Sequence, residues 1–128
     1  MLRIFIIALG GAVGTLFRYI LSGLDYKTSN SIFPVGTLVI NLFGSLVIGF
    51  LWGLFEGLNV SSQTKTFVFI GILGGFTTFS TFSLESFHLF RTGELKMALS
   101  NIIITNVFGV VLVFVGFAAS RYIVGLLK

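Results

Sequence analysis

The sequence predicts an all-α integral membrane protein of four transmembrane helices, and three observations carry that prediction. Hydrophobic residues make up 55% of the 128-residue chain and charged residues only 9%, whereas a soluble domain carries about 25% charged residues to cover its surface. The mean hydropathy is +1.08, the value of a chain solvated by lipid. The few charges separate four apolar segments, each near the ~20 residues that a helix needs to cross a ~30 Å hydrocarbon core.

The first span is expected over about residues 4–24, with Arg18 inside it. It has no small-residue cleavage motif followed by a soluble domain, so it is read as a retained helix and not a leader. A loop holding Asp25, Lys27 and Pro34 follows. The second span covers about 35–55, because Pro34 suits the first turn of a helix, where a missing N–H costs nothing. The third covers about 66–90 and the fourth about 97–122, which makes one four-helix transmembrane domain over 1–128. Gly10 with Gly14, Gly49 with Gly53 and Gly57, and Gly71 with Gly75 stand four apart. That spacing gives each helix a small-residue face on which backbones approach closely in lipid.

Several function classes are excluded. There is no cysteine, hence no thiolate metal site, iron–sulfur cluster or cysteine nucleophile. A net charge of +4 comes from scattered Lys and Arg that form no stripe able to track phosphates, so nucleic acid is not a partner. One His, no paired carboxylates and no Ser/His/Asp set make an enzyme implausible. The basic residues divide evenly across the four-span topology. Arg3, Lys65, Arg121 and Lys128 fall on one side; Arg18, Lys27, Arg91 and Lys96 fall on the other. A balanced count gives no orientation preference, which predicts insertion both ways and pairing with an inverted copy, unless a few residues or a partner bias it. So small a chain has little interior in which to enclose a path, and oligomerisation is expected.

Four polar constellations interrupt the apolar spans. In the third, Gly74-Gly75-Phe76-Thr77-Thr78 permits two readings. A break would free carbonyl oxygens of Gly74 and Thr77 for a small hard cation; a continuous helix would have Thr hydroxyls bonded back to the preceding turn. Next, Phe79 and Phe82, three apart on one helix face and flanked by Ser80 and Thr81, are either packing or a pair of positive ring edges that hold an anion without full charge. Full charges would bind it too tightly to release. In the second span, Thr37, Asn41 and Ser45 form a stripe at spacing four, either anion donors or interhelical bonds. Asn101 and Thr105, with Asn106 beside them, add a second polar face in the fourth span. Arg18 and Glu85 are the ionisable residues within spans and are functional candidates on that ground. His88 reads as a wet residue near the third loop.

The strings GGAVGTLFRY at 10–19, GTLVINLFGSLVIG at 36–49 and GILGGFTTFSTFSLES at 71–86 resemble the Fluc (CrcB) fluoride channels, and the resemblance covers essentially the whole chain. It implies an antiparallel, dual-topology dimer in the bacterial inner membrane, with the third helix broken at mid-membrane. It implies two pores for passive fluoride export and one structural sodium ion that is not transported. Matched by motif, Gly74 and Thr77 correspond to the backbone sodium ligands, Phe79 and Phe82 to the pore phenylalanines, and Asn41 to the pore asparagine. Thr37, Ser80 and Thr81 correspond to a polar track, Arg18 to the arginine of the first helix at the pore mouth, and Glu85 to the acidic residue beyond the phenylalanines. Val110 departs from the serine often found after the fourth-helix glycine, which puts one polar pore contact in doubt. Some members work only as mixed dimers, so a paralogous partner is a second expectation. A proton-coupled multidrug exporter is the alternative of another class, and it needs a membrane carboxylate that the first span lacks.

Overall fold

The computed structural model describes the backbone of residues 1–28 and 32–126, and the side chains of these except at 24–28. Three passages are uninterrupted helices: α1 (Leu2–Thr28), α2 (Val35–Gly57) and α6 (Leu95–Leu126). The third passage is composite. α3 (Ser62–Lys65) winds into a π-helical stretch (Thr66–Leu73) and then α4 (Gly74–Phe76), and after two extended residues α5 (Phe79–Arg91) follows. Four stretches, Leu2–Gly23, Val35–Gly57, Ser62–Arg91 and Leu95–Leu126, are long and apolar enough to cross a membrane. Large apolar side chains such as Ile4, Phe17, Ile70 and Phe114 are exposed, the inverse of a soluble fold and the surface that lipid solvates.

The expected glycine faces are where the helices meet. α1 packs on the π-helical stretch and α4, and α2 packs on α6. A methyl on Gly10 would lie 2.9 Å from the Gly71 Cα, and one on Gly75 would lie 2.6 Å from the Gly11 carbonyl oxygen. At Gly14 it would collide with the Ile72 carbonyl, and at Gly49 with that of Val113. Backbones this close gain dispersion contacts along their length, the main attraction available to helices in lipid.

Two features depart from the sequence expectations. Asp25 and Lys27, assigned to a loop, stand on the last turns of α1, which runs to Thr28. No Gly or Pro lies between Gly23 and Pro34 to end the helix earlier, and a helix need not stop where the hydrocarbon does. Lys27's side chain and Lys128 lie outside the described residues, so the charge count across the membrane is not traced in full. The second departure is the π-helical stretch, whose wider turns no periodicity in TFVFIGIL announces; such turns are frequent at functional sites.

The turn after α5 is set by Gly93, the one residue with positive φ, at 85°, among those described. Its N–H donates to the Phe90 carbonyl at 3.2 Å and that of Glu94 to Leu89 at 2.9 Å. This paired closure needs a left-handed residue, which glycine supplies without strain. It returns α6 alongside α5.

Candidate functional site

The site is built at the break. Thr77 and Thr78 are extended, with ψ of 155° and 114°; the Thr77 N–H still donates to the Leu73 carbonyl at 3.1 Å, but the N–H and C=O of Thr78 leave the helical ladder at membrane depth, where no water can take them. Asn41 of α2 takes them instead. Its Nδ2 donates to the Thr78 carbonyl at 3.0 Å and its Oδ1 accepts from the Thr78 N–H at 2.8 Å. One side-chain amide thus pairs both ends of one residue's backbone, as a neighbouring strand would. Thr78 then starts α5: its hydroxyl oxygen accepts from the Thr81 N–H at 3.2 Å, an N-cap bond. Of the two readings of the third span, the continuous helix does not hold, since the helix is interrupted at Thr77 and Thr78, although the Thr77 hydroxyl does bond back to the Leu73 carbonyl at 3.0 Å.

The break leaves two complementary helix ends together. The Thr78 N–H, which a continuous helix would direct to the Gly74 carbonyl, goes to Asn41. Carbonyl oxygens therefore collect at the end of α4, while the N–H groups that open the 13-residue α5 carry its partial positive charge.

A cavity of about 300 Å³ lies against this break. Phe79 and Phe82 line it with ring centroids 5.6 Å apart and planes at 50°. Phe79 is 76% exposed and Phe82 is 6% exposed, so the pair runs from the open face into the protein. Asn41, Gly74 and Thr77 line the same cavity, as do Ser45, Thr105 and Asn106. No charged residue is among the described residues lining it.

The remaining predicted residues, Thr37, Ser80, Thr81, Glu85 and Arg18, do not line this cavity. Ser80 and Thr81 are exposed on the first turn of α5, with the Ser80 hydroxyl 3.4 Å from that of Thr78. Thr37, buried on α2, donates to Glu85 Oε1 at 2.7 Å. Glu85 is half-buried and lines a separate cavity of about 210 Å³ with His88 and Thr92. Arg18 is half-buried on α1 and lines neither cavity. Val110 is exposed on α6. Thr78 is the residue that sequence reasoning passed over. Its signal was a Thr placed directly before an apolar helical run, the usual position of an N-cap.

A family model described as CrcB-like protein, Camphor Resistance (CrcB), matches residues 5–117. The chain belongs to the CrcB family. Among similar proteins, the fluoride-specific ion channel FluC of Parabacteroides distasonis is 41% identical over 128 residues, 100% of both chains. That of Desulfotalea psychrophila is 44% identical over 90% of this chain and 89% of its own. That of Aquifex aeolicus is 43% identical over 89% and 93%. This CrcB chain is not an enzyme, and it is a multi-pass membrane protein.

Proposed function

We propose that this CrcB chain is a fluoride-selective passive channel that exports fluoride from the cytoplasm and so lowers its toxicity. The observation that carries the reading is a cavity in a membrane protein with no charged residue among the described residues lining it, whose largely apolar wall holds the Phe79 and Phe82 rings beside side-chain amides and hydroxyls. Ring edges and amide N–H groups replace an anion's water without a fixed cation that would trap it. The membership of the family and the names of the relatives agree with this chemistry.

In this reading Phe79 and Phe82 line the pore, Asn41, Ser80 and Thr81 supply donors along it, and Thr37 belongs to the same polar track with its hydroxyl donated to Glu85. Glu85 stands at its far end and Arg18 at its mouth or in a supporting role. The working unit is a dimer of inverted copies with two pores, formed from this chain alone or with a paralogue. The donor set fits a structural sodium ion, because Gly74 loses its helical N–H partner to Asn41 and carbonyl oxygens suit a hard cation. Gly74 and Thr77 would hold it through those oxygens, drawn from both copies, where it offsets the carbonyl ends brought together. A proton-coupled exporter would place a carboxylate in the polar cavity, whereas Glu85 lines the other one.

The test is efflux from liposomes that hold only the purified protein, with fluoride and chloride each followed by electrode. Release of fluoride without chloride is expected, and Phe79→Ile or Phe82→Ile should slow it about tenfold or more, since each removes a ring edge from the ion's path. No release from folded protein, alone or with a paralogue, overturns the channel.

A further inference from the structure

Beyond the residues that line the cavity, we infer that Asn101, which does not line it, is a positioning residue that sets the place of Phe82 and Thr105 in its wall. This inference rests on the channel reading above. Asn101 is 1% exposed. Its Nδ2 donates to the Ser86 hydroxyl at 3.0 Å, and the Ser86 hydroxyl donates to the Phe82 carbonyl at 2.8 Å. On its other side, the Thr105 hydroxyl donates to Asn101 Oδ1 at 3.3 Å. The bonds form one directional chain, from Thr105 through Asn101 and Ser86 to Phe82, and both ends of that chain line the cavity. Such chains strengthen their members when they are buried away from water.

The surroundings show why a polar centre stands here. The buried face of α5 consists of Phe82, Ser86 and Leu89, spaced so that all three lie toward α6. An apolar residue at the middle position would let α5 slide or turn against α6 with little penalty, since lipid is as apolar as the seam itself. A buried hydroxyl and amide can pair in only one register, and that restriction is the best-attested use of polar groups in an apolar interface. With Asn41 fixing the start of α5 and Thr37 meeting Glu85, Asn101 supplies the anchor from α6, one turn from the Phe82 ring.

The experiment uses Asn101→Leu, Ser86→Ala and the double variant in the same liposome assay. Two quantities are read separately: the fraction of liposomes that release fluoride and the release rate of those that do. A residue that only stabilises the fold changes the first; one that positions the wall changes the second. We expect each single variant to slow release per active liposome by about tenfold, because sub-ångström placement governs such sites. The double variant should be no slower than either single one, since all three break one chain. Wild-type rates in the active liposomes of the variants would overturn the inference, even with fewer liposomes active. Ser86→Ala, which removes one oxygen, decides the matter if Asn101→Leu does not fold. A wild-type protein that released no fluoride would defeat the channel reading and this inference with it.

Discussion

Asn41 has two tasks that the sequence presented as alternatives, interhelical bond and cavity donor. Its amide pairs the Thr78 backbone through two bonds, and an amide nitrogen carries a second hydrogen that remains for the cavity it lines. Removing the side chain strands the N–H and C=O of a residue only 7% exposed. Asn41→Ala should therefore cost about 2 kcal/mol or more of stability, measured by denaturation in detergent. Stability equal to wild type would mean that the Thr78 peptide finds other partners. The stripe of Thr37, Asn41 and Ser45 was legible because spacing alone puts residues four apart on one face. Their partners were not: Glu85 is 48 residues from Thr37, and only folding brings the two together.

At the scale of elements, the glycine spacing predicts faces of close helix approach, and where α1 meets the third passage Gly14 is the tightest point. A methyl there would press into the Ile72 carbonyl, which is backbone and cannot turn aside. Gly14→Ala should destabilise the protein by about 1–3 kcal/mol through overpacking. Gly23→Ala, where a methyl meets nothing within 4 Å, should be neutral or slightly stabilising, as alanine favours helix. Equal thermal midpoints for the two variants would argue against the packing of α1 described above. The glycine pairs were readable as faces, yet not which face met which. The composite third passage was readable only as irregular. Gly71 of its π-helical stretch and Gly75 of α4 seat against Gly10 and Gly11, a contact between segments some sixty residues apart.

At the scale of the whole molecule, the proposed inverted dimer follows from the even distribution of Lys and Arg. Because the chain has no cysteine, one introduced cysteine is a unique reporter. Ser62→Cys, at an exposed position in α3, should react with a membrane-impermeant maleimide from both faces of the inner membrane, in comparable shares. Labelling from one face alone would exclude dual insertion. Much of what the cavity needs is present in one chain, but Phe79 stands 76% exposed at its open face, which is where a second copy would complete the wall.

The sequence by itself determined the lipid environment, the four helices and the family, because each depends on composition, segment length or local strings. It also marked Asn41, Gly74, Thr77, Phe79 and Phe82, which line the cavity, since motif and spacing are local, but it passed over Thr78. The tertiary structure decided that the third helix is broken, that Asn41 holds the break, and that Asn101 reaches Phe82 through Ser86. Those outcomes depend on which buried donor meets which acceptor across helices. In a medium without water each such group must find a partner within the protein, and distance along the chain does not say which one it finds.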